Sequence, residues 1–299
     1  MKFFLIIGFG TIGKKHYIYL KKSYPGCKVF VITNHFKKYN NYFKSINKYA
    51  HIKFNLIIIS NDTNLHLRTL KNVRRYYKNT PILVEKPLLI KSFNQNLKKN
   101  TYINYNLRFH PVIKKIKYYV KNYNFFYCSL VCNSFLPLWR KGNYKKYYSA
   151  LKKRGGGVLY DLSHEFDLLK FFFKKYKIYY SINKKISSLN INTDDYLQAN
   201  GTLLKKNQYF NIFLTYFGKD KKREVYLEGN NITIIGCLLK NKFIIIKNNK
   251  KKIFHFKNFK IKDTFMTVYK KILNKKIKDL ANLDDSIFLT KIFDKIKKK

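Results

Sequence analysis

One run in the middle of the chain groups the residue types that general acid–base chemistry uses. Asp161, Glu165 and Asp167 flank His164 within seven residues, although the whole chain has only 15 acidic residues. On a continuous helix Asp161, His164 and Asp167 would lie on one face. A carboxylate beside an imidazole orients the ring and supports its charged form, and imidazole titrates near neutral pH. The run therefore predicts a general base that accepts a hydroxyl proton. A helix-capping aspartate followed by a packed histidine is the alternative.

A lysine that follows an apolar segment is the second candidate. Lys86 comes just after Pro81–Val84, which we predict as a buried strand, and Pro87 restricts the backbone beside it. Its ammonium group could hold a substrate oxygen or stabilise charge near a cofactor. In a chain with so many lysines, the same residue could also be an ordinary surface charge. No Cys–His pair and no G-x-S-x-G arrangement indicates nucleophilic catalysis.

Three glycines near the N-terminus predict a dinucleotide-binding turn, with a chance glycine turn as the alternative. Lys2–Ile7 is typical of a buried strand, and Gly8, Gly10 and Gly13 follow it with the spacing G-x-G-x-x-G. The first glycine permits a tight turn, and the second lets the backbone approach a pyrophosphate. The third lets the next helix pack against the strand. We predict that helix over Thr11–Ser23, with its N-terminus directed at the phosphate.

The end of the second predicted strand bears on the choice between NAD and NADP. An NAD-specific site usually places an acidic residue on the ribose about twenty residues past the last glycine. Here the strand Lys28–Thr33 is followed by Asn34, and then by Lys37 and Lys38. A segment with two cations and no carboxylate suits a 2′-phosphate, so we predict NADP in preference to NAD. The two lysines could instead belong to the general lysine excess.

Strands alternate with helices through the first third of the chain. Asn55–Ser60, Pro81–Val84 and Thr101–Asn106 are further predicted strands, and a helix capped by Asp62 or Thr63 lies between the first two. This α/β pattern predicts a Rossmann-type, doubly wound parallel sheet over residues 1–105. For residues 106–299 we predict an α+β domain with a largely antiparallel open sheet. Its predicted helices cover 111–121, the stretch from the glycine triplet to 173, and two segments at the C-terminus. Its predicted strands are 125–135, 178–182, 209–217, 224–227, 232–237, 243–246 and 253–256.

Length and cysteine usage limit the class of protein. A chain of 299 residues is long enough for two domains. The scattered Cys27, Cys128, Cys132 and Cys237 predict small core residues of a reduced, cytoplasmic protein, without a disulfide framework or a metal site. Glycines interrupt the apolar N-terminus and no small-residue cleavage site follows, so we predict no signal peptide. No apolar run reaches the length of a membrane span.

The net charge of +48 arises from 63 basic and 15 acidic residues. The basic residues are mostly lysines spread along the whole chain, and Asn, Ile, Tyr and Phe are abundant with them, which is the pattern of A+T-rich codon usage. We therefore predict a solvated lysine surface and no specific nucleic-acid partner. Loose, salt-sensitive binding to polyanions is still expected of such a surface.

The motifs resemble, in their order along the chain, those of the Gfo/Idh/MocA oxidoreductases. They are Gly8–Gly13 with His16, Asn64-Leu65-His66, Glu85-Lys86-Pro87, Arg108-Phe109-His110-Pro111, and the glycine triplet 155–157 with Asp161, His164 and Asp167. The resemblance extends over essentially the whole chain. It implies the oxidation or reduction of sugars, cyclitols or nucleotide sugars with NAD or NADP.

The same resemblance implies roles for individual residues. Lys86 corresponds to the active-site lysine, His164 to the acid/base, and Asp161 to its acidic partner. The implied cofactor-binding residues are Gly8, Phe9, Gly10, Thr11, Ile12, Gly13, Asn34, Ser60, His66, Glu85 and Lys86. The candidates for holding the substrate are Lys86, Arg108, Trp139, Tyr144 and His164. We expect a small carbohydrate substrate, no metal, no membrane partner, and a homo-oligomer formed through the C-terminal sheet.

Two features depart from the family pattern. Asp161 lies three residues before His164, where many members have a spacing of four. Leu136–Arg140 with Tyr144 resembles a subgroup often associated with surface-polysaccharide sugars, in which Asp usually stands at the position of Leu138. A cofactor-binding protein without turnover and a basic polyanion-binding protein are the two alternatives to an active enzyme.

Overall fold

The computed structural model describes residues 1–33, 42–43, 46–89, 97, 99–204 and 207–298. The chain divides into two compact units. The first contains Met1–Asn106 and Ile261–Thr290, and the second contains Leu107–Lys260 and Lys291–Lys299. The sequence-based boundary at 105/106 lies next to the first division. The sequence predicts the later segment Ile261–Thr290 within the second domain, but in the structure it belongs to the first unit.

The described residues form strands and helices in the following order. The strands are β1 (Phe3–Ile7), β2 (Lys28–Ile32), β3 (Tyr42–Phe43), β4 (Leu56–Ile59), β5 (Ile82–Val84), β6 (Thr101–Ile103), β7 (Phe125–Phe135), β8 (Tyr176–Lys184), β9 (Tyr196–Leu203), β10 (Tyr209–Thr215), β11 (Phe217–Gly229), β12 (Ile232–Cys237), β13 (Lys242–Lys247), β14 (Lys250–His255) and β15 (Ala281–Asn282). The helices are α1 (Thr11–Ser23), α2 (His66–Tyr76), α3 (Pro111–Asn122), α4 (Val158–Asp161), α5 (His164–Phe173), α6 (Lys262–Leu273) and α7 (Leu283–Lys297).

A parallel sheet forms the centre of the first unit. Within the described residues its strand order is β15-β6-β5-β4-β1-β2-β3. Strands β1 to β6 pair in parallel, and β15 adds an antiparallel edge beside β6. Every residue of β4 and β5 is buried, as expected for strands covered on both faces. The predicted Rossmann-type sheet is confirmed, and α1 spans the predicted residues Thr11–Ser23.

The C-terminal segment contributes a helix to the first unit. Phe265 and Tyr269 of α6 place their rings 5.4 and 5.8 Å from the His16 ring of α1. The Phe265 ring also lies 5.4 Å from that of Tyr19. Aromatic residues at i and i+4 on α6 therefore pack on α1, and this contact explains why Ile261–Thr290 belongs to the first unit.

The second unit contains the predicted, largely antiparallel sheet. Among the described residues its strand order is β14-β13-β12-β11-β7-β10-β9-β8, and only the β7–β10 pair is parallel. The strand β9 was missed because Gln198, Ala199, Asn200 and Gly201 have low strand propensity. Its residues nevertheless alternate between half-buried and buried positions, and the buried ones are Leu197, Ala199, Gly201 and Leu203. Strand β11 begins earlier than predicted, because exposed charged residues concealed its first half.

The predicted single helix after the glycine triplet is wrong. Helix α4 ends at Asp161 and α5 begins at His164, with Leu162 at φ −99° and ψ 30° between them. Gly155 and Gly157, just before α4, have positive φ angles of 82° and 115°, which glycine adopts without steric cost. Asp161 and His164 therefore occupy different helices, so they do not lie on one face of a single helix as predicted.

Candidate active site

The first unit forms the predicted glycine turn at the end of β1. Gly8 has a φ of +96°, and a Cβ on this residue would lie 2.4 Å from the backbone nitrogen of Asn61. A Cβ on Gly13 would lie only 2.2 Å from the carbonyl oxygen of Gly8. The Ser60 hydroxyl donates a 2.9 Å hydrogen bond to that same carbonyl. Gly8 and Gly13 are therefore required by close packing, and Ser60 stabilises the turn.

Unlike Gly8 and Gly13, Gly10 has open space around it. It is the N-cap of α1, makes no side-chain cap, and has no atom within 4 Å of the position of its missing Cβ. The backbone is thus open in front of the helix N-terminus, where free N–H groups and the helix dipole favour an anion. Thr11 is exposed beside it, Ile12 is half-buried, and Phe9 packs edge-on against Tyr17. These residues fit the pyrophosphate of a dinucleotide.

A cavity of about 1060 Å³ lies near the carboxyl ends of β1 and β2. Ile7, Ile32 and Leu65 give it apolar walls. Arg68, Lys71 and Arg75 of α2 also line it, and the described lining includes no acidic residue. An apolar surface with cations at its edge is suited to an adenosine that carries a phosphate. The cofactor candidate Asn34, with Lys37 and Lys38, lies outside the described residues.

His66 connects the loops that follow β4 and β5. Its Nδ1 lies 3.0 Å from the carbonyl oxygen of Pro87, and its Nε2 lies 3.0 Å from that of Asn61. Burial lowers the pKa of His66, so the neutral ring is favoured. Its position in the structure links the glycine turn, through Asn61, to the segment that carries Lys86.

Glu85 and Lys86 follow β5 directly. The Glu85 carboxylate accepts hydrogen bonds from His16 Nε2 at 2.8 Å and from Asn104 Nδ2 at 2.6 Å. Burial acts to raise the pKa of Glu85, but the bonds from His16 and Asn104 and the charge of Lys86 outweigh it and lower the pKa. The half-buried Lys86 precedes Pro87 through a cis peptide bond. Among the predicted site residues, Gly8, Gly13, Ser60, His66, Glu85 and Lys86 thus form one connected group.

In the second unit, His164 begins α5 and is 8% exposed. Glu165 and Asp167, the two acidic residues that follow it, are both buried and each forms an ion pair with an arginine. Glu165 lies 2.8 Å from the Arg223 Nε of β11, and Asp167 accepts two hydrogen bonds from Arg108. These pairs attach the first turn of α5 to its neighbours and fix the helix that carries the imidazole. Arg108, a substrate candidate, is 4% exposed and engaged in this way.

Asp161 is buried between two tyrosines. It accepts a hydrogen bond from the Tyr216 hydroxyl at 2.6 Å and another from the Tyr148 hydroxyl. Burial and the Asp161 charge raise the pKa of both phenols well above the usual value, so both remain proton donors. Sequence reasoning missed Tyr216, because it follows β10 and lies 55 residues from Asp161. No local spacing indicates such a contact.

Of the two remaining substrate candidates, Trp139 lies beside this tyrosine pair and Tyr144 contacts a separate loop. The half-buried Trp139 packs edge-on against Tyr216, with the ring centroids 5.2 Å apart. The hydroxyl of Tyr144 accepts a hydrogen bond from the Asn190 backbone at 3.1 Å. Asp161, Tyr148, Tyr216 and Trp139 therefore form a second connected group, which consists of aromatic and hydrogen-bonding side chains within the second unit.

Comparison with known proteins gives structural relatives only. No family model matches the sequence, and no curated protein matches it. The fold resembles a levoglucosan dehydrogenase solved with NADH and levoglucosan, at a TM-score of 0.82, 11% identity, and coverage of 99% of this chain and 96% of that one. It also resembles a super-repressor mutant of Gal80p from Saccharomyces cerevisiae, at a TM-score of 0.81, 16% identity, and 99% and 95% coverage.

A third similar structure is the UDP-N-acetylglucosamine 3-dehydrogenase GnnA from Acidithiobacillus ferrooxidans, with a TM-score of 0.75, 12% identity, and 99% and 95% coverage. These neighbours are of the Gfo/Idh/MocA type. The resemblance inferred from the motifs is therefore confirmed at the level of the fold. None of the described helices has the length and apolar character that crossing a membrane requires.

Proposed function

We propose that the protein is an NAD(P)-dependent oxidoreductase that transfers hydride between a nicotinamide cofactor and a carbohydrate-like hydroxyl or ketone. The observation that carries this proposal is the glycine turn. Gly8 and Gly13 are packed too closely for a side chain, whereas Gly10 leaves the N-terminus of α1 open. This difference is what a pyrophosphate site needs, because only the residue facing the ligand requires free space.

His164 and Lys86 carry the proposed proton chemistry. The cofactor, when bound, supplies the group that accepts or donates hydride. In the oxidative direction, the His164 imidazole accepts the proton of the substrate hydroxyl and later releases it to water. The Lys86 ammonium holds the same oxygen and stabilises negative charge that develops on it. In the reductive direction the roles reverse, and His164 donates the proton to the carbonyl oxygen.

We assign Asp161 a supporting role that differs from a direct pair with His164. Its two oxygens accept hydrogen bonds from the Tyr148 and Tyr216 hydroxyls, which fix the position of the carboxylate. Trp139 lies beside Tyr216 and offers an aromatic face to a sugar ring. Arg108 binds Asp167 of α5, so we propose that it acts on the substrate indirectly, by positioning the helix that carries His164.

We further propose NADP in preference to NAD. The chain has no acidic residue before Asp62, so residues 1–61 offer no carboxylate to a ribose 2′-hydroxyl. Arg68, which lines the same cavity as Ile32, adds a cation to the predicted contribution of Lys37 and Lys38. NADH and levoglucosan in one neighbour, and a nucleotide-sugar dehydrogenase as another, support the nicotinamide and the sugar without identifying either. Surface-polysaccharide sugars remain the proposed context.

The second candidate function is cofactor binding without turnover. The observation that favours it is the similarity to Gal80p, whose solved form is a super-repressor mutant. Lys86 and His164 argue for catalysis, because a protein that only binds cofactor does not need them.

The cytoplasm is the proposed location. The four cysteines all lie in the described part of the chain, and none is in a disulfide.

We also propose a homo-oligomer formed through the outer face of the second sheet. A cavity of about 500 Å³ on this face is lined by tyrosines and amides without a charged residue among those described. They are Tyr127, Tyr179, Gln198, Asn200, Gly201, Tyr209, Phe210 and Asn211. In a chain with a net charge of +48, an interface that lacks charged residues keeps like charges on two copies out of close contact and so lowers their repulsion. Sedimentation at two salt concentrations measures whether copies associate.

The deciding experiment combines binding with turnover. Calorimetry with NAD and NADP measures cofactor affinity, and a panel of sugars, nucleotide sugars and inositols is then assayed with the tighter cofactor. We expect micromolar cofactor binding and turnover of at least one compound in the panel. Binding without turnover of any compound would favour the second candidate, and loss of heparin retention at moderate salt would assign polyanion binding to charge alone.

A further inference from the structure

A buried chain of hydrogen bonds in the first unit ends at the residue next to Lys86. The Tyr269 hydroxyl lies 2.6 Å from His16 Nδ1, and His16 Nε2 lies 2.8 Å from Glu85 Oε1. Tyr269 and His16 are both fully buried. The three residues come from α6, α1 and the end of β5, so contacts far apart in the chain converge on a single carboxylate.

The Glu85 carboxylate and the Tyr269 phenol, at the two ends of this hydrogen-bonded series, determine which groups donate. An ionised carboxylate has no proton to give, so His16 Nε2 must donate to Glu85. In the neutral ring Nδ1 then accepts, and the Tyr269 hydroxyl donates to it. Burial raises the pKa of Tyr269 well above the usual value, which keeps this phenol protonated. By donating to Nδ1, Tyr269 therefore stabilises the same His16 tautomer that donates to Glu85.

Glu85 in turn contacts Lys86. Its Oε2 accepts from the backbone N–H of Lys86 at 3.3 Å, and its charge interacts with the Lys86 ammonium. Asn104 and His66 also lie near Glu85. The Asn104 amide donates a hydrogen bond to Glu85, and the charges of Glu85 and Lys86 shift the pKa of His66 in opposite directions. Among these groups only Glu85 is anionic.

We propose that Tyr269 is a positioning residue for the active site, which acts through His16 and Glu85 to hold Lys86 in place and in its ammonium form. This inference rests on the proposed function for what Lys86 does. An ammonium is required for that role, because only the charged form stabilises negative charge on the substrate oxygen. The segment Ile261–Thr290 thereby contributes to the hydrogen-bonded group around Lys86, whose other members lie within the first 106 residues.

The charge of Lys86 can be measured without turnover. Reductive methylation with formaldehyde modifies neutral amines, and mass spectrometry of the Lys86 peptide follows its extent as a function of pH. Removal of an adjacent opposite charge shifts a titration by about one pH unit. In Glu85→Gln we expect the midpoint of Lys86 labelling to fall by about that amount. In Tyr269→Phe we expect a smaller shift in the same direction.

Phe265→Leu is the matched control, because Phe265 contacts the same His16 ring from α6 without a hydrogen bond. This variant should label like the parent. Parental midpoints in both folded test variants, or equal shifts in Phe265→Leu and Tyr269→Phe, would overturn the inference. Shifted labelling in a protein that turns over no sugar would support the positioning of Lys86 while contradicting the proposed function, so the two failures are distinguishable.

Once a substrate is identified, kinetics provide a second readout. Tyr269→Phe should raise the KM for the sugar more than it lowers kcat, and the alkaline limb of kcat/KM should move to lower pH. A purely structural role for Tyr269 predicts lower thermal stability with an unchanged pH profile. That outcome would contradict the proposal.

Discussion

Arg108 and Asp167 form a buried, two-bond ion pair between the segment before α3 and the first turn of α5. Arg108 Nε donates to Asp167 Oδ2 at 2.9 Å, and Nη2 donates to Oδ1 at 2.5 Å. The Asp167 side chain is 1% exposed and that of Arg108 is 5% exposed. A pair this deep contributes little net stability compared with apolar residues, but removing one partner leaves an uncompensated buried charge.

Asp167→Asn should therefore destabilise the protein by roughly 3–5 kcal/mol, the cost of breaking a buried pair. Denaturant unfolding measures the effect. Asp220→Asn is the matched control, because its partner Lys222 and Asp220 itself are largely exposed. We expect no measurable change from the control. Equal stability of Asp167→Asn and the parent would show that the Arg108 charge is compensated in another way.

His110 makes stability depend on pH. It is the N-cap of α3, and its Nδ1 accepts a hydrogen bond from the Val112 N–H at 3.2 Å. Burial lowers its pKa to about 4, against the hydrogen bonds with Asn241 and Leu238. The unfolded chain binds a proton near pH 6.5 and the folded chain near pH 4. Stability is therefore complete above pH 6.5 and falls as the pH decreases toward 4, by up to roughly 3 kcal/mol.

His110→Asn tests this dependence, since asparagine can cap the helix but does not titrate. Denaturant unfolding of both proteins between pH 7.5 and 4.5 gives the comparison. The variant should lose less stability than the parent across this range. Parallel curves would mean that the pKa of His110 is the same in the folded and the unfolded protein, and only its capping role would remain.

Gly10 and Gly13 should respond to valine in opposite ways. Gly10→Val should abolish cofactor binding with little change in thermal stability, because its side chain would extend into open space at the helix N-terminus. Gly13→Val should unfold or strongly destabilise the first unit, since its Cβ would overlap the Gly8 carbonyl. Calorimetric titration and thermal melting measure the two effects. Parental cofactor affinity in Gly10→Val would remove the main support for the proposed function.

The preference for NADP over NAD tests whether Arg68, Lys37 and Lys38 contribute to cofactor binding. We expect NADP to bind at least about fivefold more tightly than NAD, which corresponds to about 1 kcal/mol. Arg68→Gln and the double variant Lys37→Ala/Lys38→Ala should each reduce this ratio while leaving NAD affinity nearly unchanged. Lys53→Ala serves as a charge-matched control outside the lining of the cavity. Tighter NAD binding by the parent would contradict the proposal.

Local patterns predicted much of the fold but few of the contacts that complete the site. The apolar run Phe3–Ile7 and the glycine spacing define a strand, a turn and a helix within 23 residues, so sequence alone locates α1. Tyr269 lies 253 residues from His16, and Tyr216 lies 55 residues from Asp161. Such contacts depend on packing between distant elements and have no periodic signal.

The same limit explains the error in the helix after the glycine triplet. The carboxylates around His164 suggested one catalytic face, but each carboxylate has a separate partner in the structure. Glu165 pairs with Arg223, Asp167 with Arg108, and Asp161 with two tyrosines. A short-range cluster of charges thus predicted a region for the site, while the assignment of partners required the sheet and its loops.

The assays that identify a substrate also test whether His164 transfers the proton. Its place at the first turn of α5, fixed by the ion pairs of Glu165 and Asp167, motivates the prediction. General acid–base groups contribute about 10²–10⁴-fold to the rate. His164→Asn should lower kcat at least about 100-fold with cofactor affinity unchanged, whereas Lys86→Ala should also raise the KM for the sugar. Turnover by His164→Asn within a fewfold of the parent would place the base elsewhere and leave His164 as a packed helix residue.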